Sequence, residues 1–424
     1  MDEEKEIKEL IQELSKKGVW ARKSTKERLA EIGKPAVPYL VEKVKDENGW
    51  VVYGVITDIG EPAVPYLIEA LKATDNIPLK GDCSNLIGRI GVCAVPYLED
   101  ALKDEENRRH IVETLGRIDD ASVIPILIKS LDDTEDSVRC NAAESLGGIA
   151  RKGHDVSKAV PKLIKMLKGM GSLSAMGAVE ALGEIKDERA FIHLIERLKS
   201  ETSSYEAIEA LKKIGKPVVP YLVDALKLHQ EHMTKIRIVD LLGEIRDESS
   251  VPALIEILKE YKNEEPLMGT MEALSKLDEE ALRKIGDEEA LMAETMKAVA
   301  RIGHVSATPA LMEMLWNNKR LEDNALEALR INAINLFHKK KYTESLRAIK
   351  DIVRITKDKY GPWKNAASAK KRRILIDSFS DLAYRVQERM NRLDRNDPLK
   401  IKRKKVKPGK EKSRSKKNAK KKNI

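Results

Sequence analysis

The sequence predicts an all-α protein, a right-handed α-solenoid of about ten antiparallel helix pairs followed by a short helical region and a disordered basic tail. The first observation is a motif, Ile-Gly-Lys-Pro-Ala-Val-Pro-Tyr-Leu at residues 32–40, which returns almost unchanged at 59–67, 90–98 and 214–222. The second is its regular spacing, since a unit repeated at a near-constant period indicates stacked structural repeats. The third is the composition, because 4% aromatic and 35% charged residues fit a solvated helical protein with an aliphatic core.

Each predicted pair consists of a first helix, the A helix, and a second helix, the B helix. An aliphatic residue ends the A helix and recurs at spacings between 25 and 36 residues. Another aliphatic residue precedes it by three positions, which puts both on one helical face. The ten predicted A helices end at Ile32, Ile59, Ile90, Ile118, Ile149, Ile185, Ile214, Ile245, Leu277 and Ile302.

Glycine has two predicted roles in these pairs. Directly after an A helix, as at Gly33 and Gly60, it can take a positive φ, and a proline such as Pro38 then starts the B helix. Elsewhere glycine lies inside the A helix, at positions 116, 147, 183 and 243. An internal glycine costs about 1 kcal/mol relative to alanine, so its recurrence predicts close approach of a neighbouring helix.

Residues 136–147, Asp-Ser-Val-Arg-Cys-Asn-Ala-Ala-Glu-Ser-Leu-Gly, and the Val-Pro-x-Leu start of the B helices carry a family resemblance. They resemble the short HEAT-like repeat of phycobilin lyases, over about residues 18–320. The resemblance implies helix pairs of the HEAT type, in a family that includes scaffolds, lyases and hydroxylases. Three places depart from the pattern, namely an insertion at 151–157, Ile192 in place of proline, and a shortened unit between Leu277 and Ile302.

Four regions follow from this organisation. Residues 1–17 form an amphipathic helix expected to cap the array, residues 18–320 the solenoid, residues 321–399 a helical region, and residues 400–424 a Lys-rich tail. Within the third region, residues 333–356 resemble a single tetratricopeptide-type hairpin. The tail has no apolar face, and we therefore expect it to be disordered.

Composition and the N-terminus predict a cytoplasmic protein. No apolar run reaches the length of a membrane span, and the acidic start has no signal-peptide core. Three cysteines, Cys83, Cys93 and Cys140, form no metal-type pair and fit a reducing compartment.

An enzyme is not predicted, and neither is a cofactor or a metal. Metal-dependent hydroxylases built on the HEAT-like repeat carry His-Glu pairs, but none of the seven histidines here is followed by Glu. The nearest cluster, His229 to His232, falls in a predicted loop. The sequence also has no Gly-rich phosphate loop and no Gly-x-Ser-x-Gly elbow.

The B helices offer the first candidate binding surface. Aligned by the Val-Pro element, they place a tyrosine and, one turn later, an acidic residue at matching positions. Since the HEAT-like family is expected to line its concave side with B helices, these residues would form a tyrosine row beside an acidic row for a protein partner. Alternatively, the tyrosines fill the space between repeats and the acids favour the helix N-terminus. The candidate residues are Tyr39, Tyr66, Tyr97, Tyr221, Glu42, Glu69, Asp100 and Asp224.

The basic C-terminal part is the second candidate surface. Residues 1–320 carry a net charge of −11, residues 321–399 of +7 and residues 400–424 of +13. Flexible Lys-rich segments bind phosphate backbones with little base specificity. Alternatively, the tail only increases solubility. The candidate residues for contact with RNA, DNA or the ribosome are Lys371, Arg372, Arg373, Lys402, Arg403, Lys404, Lys405 and Lys407.

Together these features favour a non-enzymatic scaffold that binds a protein partner and, through its basic tail, nucleic acid or a nucleoprotein. One alternative is an RNA-, DNA- or ribosome-associated factor whose main ligand is the phosphate backbone. A second is a lyase or hydroxylase of the HEAT type.

Overall fold

The computed structural model describes residues 2–16, 19–46, 48–169, 172–200, 204–228, 231–263, 279–317, 322–359, 379–380 and 382–392. Regular structure within these ranges is helical throughout, either α or 3-10, and the predicted all-α class is therefore confirmed. The chain divides into two compact units, Met1–Leu241 and Leu242–Ile424.

The first unit begins with α1 (Asp2–Lys16), which packs against the first A helix and buries Ile7, Ile11 and Leu14. Its A helices are α2 (Val19–Ile32), α4 (Tyr53–Ile59), α6 (Ile77–Ile90), α8 (Arg108–Arg117), α10 (Asp136–Arg151), α12 (Leu173–Ile185) and α14 (Ser204–Ile214). Its B helices are α3 (Val37–Val44), α5 (Val64–Ala73), α7 (Val95–Ala101), α9 (Ile124–Ser130), α11 (Val160–Met166), α13 (Phe191–Glu196) and α15 (Val219–Leu228). Helix α16 (His232–Ile245) contains the boundary between the units.

Consecutive A helices pack against one another from α2 to α14, and B helices do the same at α3–α5–α7 and at α13–α15. This stacking is that of an α-solenoid. The aliphatic residue three positions before each predicted A-helix end is the core residue, and Leu29, Ile56 and Ile87 have no exposed surface; α8 itself ends one residue before Ile118, at Arg117, and α10 two residues after Ile149, at Arg151. The terminal residues Ile32 and Ile59 are only half-buried, because they lie where the chain leaves the helix.

Two kinds of corner join the A helix to the B helix. In the Gly corner, a glycine such as Gly33 (φ 68°) or Gly60 (φ 72°) follows the A helix, and a 3-10 turn leads into the B helix. This confirms the predicted role of these glycines. In the Asp corner, an aspartate carboxylate accepts a hydrogen bond from a backbone amide two residues later, as Asp120 does from Ser122 (2.8 Å) and Asp187 from Arg189 (3.0 Å).

The Asp corners were not predicted from the sequence. They also explain how α13 starts without a proline, since Asp187 caps the turn that precedes Phe191. Just before this corner, Lys186 takes the left-handed conformation (φ 58°) that the Gly corners assign to glycine.

Glycines inside the A helices lie against the next A helix, as predicted. A Cβ atom added to Gly147 would come within 2.9 Å of the Ala181 Cα atom, and one added to Gly183 would lie equally close to the Ala210 Cα atom. The neighbouring main chains thus approach too closely for any side chain at the glycine positions.

The second unit contains α17 (Val251–Asn263), α18 (Glu279–Ile302), α19 (Ala307–Asn317), α20 (Glu322–His338) and α21 (Tyr342–Lys359), and residues 382–392 are also helical. Its packing includes α17 against α18, α18 against α20, and α20 against α21. The predicted hairpin of two helices around residues 339–341 is present, with Lys340 at φ 62° in its turn.

One predicted division of the chain is absent. The shortened unit predicted between Leu277 and Ile302 requires a B helix followed by the next A helix. The structure has a single helix of 24 residues there, Glu279–Ile302. This segment contains no proline that would end the first helix and start the second. Leu274 and Leu277 themselves lie outside the described residues.

Candidate binding surface on the B helices

In the first unit, the candidate residues occupy fixed positions along each B helix. Counting the Val of Val-Pro as position 1, tyrosine stands at position 3 and the acidic residue at position 6. We call the residues at positions 3, 6 and 9, counted from the start of α3, α5, α7, α9, α11, α13 and α15, the B-helix row; position 9 lies inside the helix in α5 and α15 and just past its end in the other five. The proline at position 2 fixes φ at the start of the helix, so position 3 always lies in the first turn.

The row tyrosines are partly exposed, and the hydroxyl groups of Tyr97 and Tyr221 contact the preceding helix pair. Tyr39, Tyr66 and Tyr221 are half-buried, whereas Tyr97 is 37% exposed. The Tyr97 hydroxyl donates a hydrogen bond to Glu61 Oε1 (3.0 Å), which raises the pKa of Tyr97. The Tyr221 hydroxyl donates in the same way to Glu188.

Tyr39 and Tyr221 also make ring contacts to their neighbours. The Lys8 ammonium on α1 lies 5.3 Å from the centre of the Tyr39 ring, in cation–π range. Phe191 meets Tyr221 edge to face with ring centres 5.4 Å apart. Tyr97 and Tyr221 therefore link neighbouring repeats, as the alternative interpretation of the sequence expected, while part of each ring stays accessible to solvent.

All four predicted acidic residues are exposed, but two of them are paired with lysine. Glu42 lies 2.6 Å from the Lys45 ammonium, and Asp100 lies 2.6 Å from Lys103. The hydrogen bond from Lys103 lowers the pKa of Asp100. Glu69 and Asp224 are likewise followed by a lysine at position 9, namely Lys72 and Lys227.

The lysines at position 9 were not predicted to belong to this surface. The prediction rested on the acidic residues alone, although each of the four is followed by a lysine three positions later in the sequence. Positions 6 and 9 therefore present matched opposite charges in most B helices of the first unit, and the row is not a continuous acidic stripe.

Two helices in the middle of the row differ. In α9 the order is reversed, with Lys129 at position 6 and Asp132 at position 9, and in α11 both positions are lysine, Lys165 and Lys168. Position 3 of α11 is Lys162, whose ammonium lies 2.5 Å from an Asp132 carboxylate oxygen and 3.0 Å from the Ile128 carbonyl oxygen.

The described residues contain no cluster of three or more His, Cys, Asp or Glu side chains that could hold a metal. Burial raises the pKa of Cys83 to about 12, and burial together with Glu144 does the same for Cys140, which disfavours a thiolate at neutral pH. His229 lies outside the described ranges, and His232 is the first residue of α16.

The second candidate surface cannot be placed, because its residues, from Lys371 to Arg373 and from Lys402 to Lys407, all lie outside the described residues. Among the described helices, none combines the length and the apolar character that crossing a bilayer requires.

Comparison with known proteins identifies the repeats. A family model described as HEAT repeats matches residues 64–147, 95–171 and 124–212. Among curated proteins, no sequence matches the chain. The predicted HEAT-type repeats are thereby confirmed for residues 64–212, from α5 to α14.

Matches among solved structures include human deoxyhypusine hydroxylase in complex with glycerol, at 18% identity and a TM-score of 0.27, covering 66% of this chain and 98% of that chain. An engineered protein matches at 17% identity and a TM-score of 0.33, covering 77% and 98%. The CpcE–CpcF complex of phycocyanin lyase from Nostoc sp. PCC7120 matches at 20% identity and a TM-score of 0.30, covering 54% and 94%. Identities and TM-scores this low say nothing about activity.

Proposed function

We propose that this chain, whose residues 64–212 are HEAT repeats, is a binding scaffold with two kinds of ligand. The B-helix row contacts a protein partner. The Lys- and Arg-rich segments at 371–373 and 402–407 bind the phosphate backbone of nucleic acid or of a nucleoprotein.

The anchoring of the row tyrosines carries the first half of this proposal. Tyr97 and Tyr221 are fixed by hydrogen bonds to glutamates of the preceding pair, yet their rings remain partly exposed. An aromatic side chain that is already ordered loses little conformational freedom when a partner covers it, and such residues dominate the energetics of many interfaces. A partly exposed tyrosine occupies the same position in α3, α5, α7 and α15.

Tyr66→Ala/Tyr97→Ala tests the protein-binding half. Purified full-length protein is immobilised, incubated with nuclease-treated extract of the source cells, and its bound proteins are compared by quantitative mass spectrometry. Tyr205→Ala is the matched control, because Tyr205 lies on the A helix α14 and is 71% exposed. We expect the double variant to lose proteins that the wild type and Tyr205→Ala both retain. Equal recovery by all three proteins would refute a role for the row.

Salt dependence tests the nucleic-acid half. If six or more phosphates are contacted, affinity for RNA or DNA falls by about 10³-fold or more between 50 and 200 mM salt. Truncation after Leu399 should remove most of the affinity, and Lys371→Gln/Arg372→Gln/Arg373→Gln a smaller part. Undiminished binding by the truncated protein would contradict the assignment to the tail.

A further inference from the structure

The charges of the B-helix row are balanced except at its centre. An acidic residue at position 6 is followed by a lysine at position 9 in five of the seven B helices of the first unit, and α9 carries the same two charges in reverse order: the five are Glu42/Lys45, Glu69/Lys72, Asp100/Lys103, Glu196/Lys199 and Asp224/Lys227. In three of these helices the two side chains form an ion pair, with the Nζ atom of Lys45, Lys103 or Lys199 lying 2.6 Å from the carboxylate oxygen. Each of the five therefore contributes no net charge at these positions.

Helices α9 and α11 break the pattern together. Their row residues include four lysines, Lys129, Lys162, Lys165 and Lys168, and a single acid, Asp132. We call the four lysines the central lysine cluster. Lys162 is engaged by Asp132, whereas Lys129, Lys165 and Lys168 are exposed and form no ion pair with any residue that the structure describes.

The cluster has no evident role in the fold. Its three unpaired ammonium groups point to no buried partner, and two of them, on Lys165 and Lys168, are three residues apart in the chain. Lys165 lies in the last turn of α11 and Lys168 in the turn that follows it, and like charges this close repel one another when nothing offsets them. A bound anion would offset that repulsion.

We propose that the central lysine cluster receives a short acidic segment of the protein partner. This inference rests on the proposed function, since it specifies the chemistry of the ligand on the same row. The contacts of Lys162 with Asp132 and with the Ile128 carbonyl oxygen show that α9 and α11 are neighbours, and neighbouring helices lie about 8–10 Å apart. An extended peptide rises about 3.3 Å per residue, so about three to four of its residues span the distance from one helix to the other.

The neighbouring charges favour a peptide over nucleic acid. On either side of the cluster, Asp100 is paired with Lys103 and Glu196 with Lys199, so the row carries no net charge there. A nucleic-acid strand carries a negative charge at every nucleotide and would find no matching positive charge in the row once it left the cluster. A peptide with carboxylates only at its centre matches the limited extent of the positive charge.

Two fluorescein-labelled synthetic peptides of 20 residues and identical composition provide the test. One carries four adjacent glutamates at its centre, and the other carries the same four glutamates spread evenly. Fluorescence anisotropy measures their binding to the full-length chain at 50 mM salt. Both peptides have the same total charge, so attraction to the basic tail contributes to both.

Lys165→Glu/Lys168→Glu should weaken binding of the clustered peptide about tenfold, the sum expected for two exposed ion pairs replaced by repulsion. The matched control is Lys45→Glu/Lys103→Glu, two reversals at position 9 of balanced helices, which should change affinity less than about twofold. Coupling with a carbodiimide, which joins touching carboxylates and amines, should attach the clustered peptide to Lys129, Lys165 or Lys168. Circular dichroism melts establish that both variants are folded, and Lys165→Gln/Lys168→Gln should give an intermediate loss.

Equal binding of the two peptides, or equal loss in both charge-reversal variants, would overturn the inference. So would a 20-nucleotide single strand that competes at these lysines and loses about tenfold in Lys165→Glu/Lys168→Glu, because nucleic acid would then be the ligand. If the lysine variants have no effect while Tyr66→Ala/Tyr97→Ala still loses its protein partner, the proposed function stands and only the acidic segment is rejected. If the tyrosine variant loses no protein, the proposed function falls by its own test.

Discussion

The pairs with Gly corners and the pairs with Asp corners solve one geometric problem in two ways. At Gly33, Gly60, Gly91 and Gly215 the chain turns because glycine accepts a positive φ. At Asp120, Asp155 and Asp187 a carboxylate holds the turn by accepting a backbone N–H. The A helices of these latter pairs carry glycine internally, at Gly116, Gly147 and Gly183, where the next A helix approaches, and α6 of the Gly91 pair does the same at Gly88.

A positive-φ glycine directly after the A helix therefore marks the Gly corners, whereas a packing glycine inside the A helix occurs in the three pairs with Asp corners and also in α6. The two sets should consequently fail under different perturbations. Added side-chain volume should damage the pairs with internal glycine, backbone restriction should damage the Gly corners, and acid should damage the Asp corners.

The largest effect is expected from added volume at Gly147. A Cβ atom there meets the Ala181 Cα atom at 2.9 Å, so Gly147→Val must push α10 and α12 apart. Overpacking of this kind costs about 3 kcal/mol of unfolding free energy. Gly81→Val is the control, because a Cβ atom at Gly81 in α6 meets nothing within 4 Å. Urea denaturation should separate the two variants clearly, and equal midpoints would show that the close approach is not rigid.

Backbone restriction should have the next largest effect. Gly60 has φ 72° and ψ −132°, a region that L-residues avoid, and Gly60→Ala should destabilise the protein by about 2 kcal/mol. Lys186→Gly should act in the opposite direction and stabilise by about 1 kcal/mol, since Lys186 already occupies the left-handed region at φ 58°. Thermal melts of the two variants should shift in opposite directions. A shift in the same direction would remove the distinction between the corners.

Loss of a corner carboxylate should have a smaller effect. Asp187→Ala removes the hydrogen bond to the Arg189 amide and the ion pair to its guanidinium (2.7 Å), and caps of this type contribute about 1 kcal/mol. Asp187→Asn keeps the acceptor oxygen and should restore most of the loss. If asparagine is as harmful as alanine, charge and not the cap holds the corner.

Acid should weaken only the Asp corners, and only at low pH. Hydrogen bonds to the carboxylates, chiefly from Ser122 to Asp120 and from Arg189 to Asp187, lower their pKa in the folded chain. Their stabilisation is therefore present above the unfolded pKa of about 3.9 and is lost as pH falls through the lower folded values. Hydrogen exchange corrected for intrinsic rates should show residues 120–130 and 187–196 losing protection between about pH 4 and 2 before residues 33–44 do. Simultaneous loss in all three segments would contradict this.

Residues that act within one helix pair were predictable from the sequence, and residues that act between pairs were not. Leu29, Gly33 and Pro38 follow local rules of periodicity and turn chemistry, and the structure places each where those rules put it. The internal glycines were an intermediate case. Their unfavourable helix propensity predicted that a neighbouring helix packs closely there, but the contacted residues, Ala181 and Ala210, could not be predicted from the sequence.

The contacts of the candidate surface depend on register across about 35 residues. Tyr97 reaches Glu61 because two helix pairs stack with one particular offset, and a change of one position would remove the bond. The Lys45 and Lys103 pairs were local and could have been found, but attention to the acids alone hid them. The continuous helix α18 was missed because the absence of proline was read as a weak copy of the repeat.

The glycine contacts between A helices also set a scale for recognition. Where main chain meets main chain with no side chain between, the distance from one repeat to the next cannot be tuned by swapping side-chain sizes. Equivalent positions on neighbouring B helices are then separated by a fixed distance of roughly 10 Å. A partner in extended conformation would reach the next B helix about every three residues. Inserting a single residue into that partner would therefore shift every later residue away from its contact position.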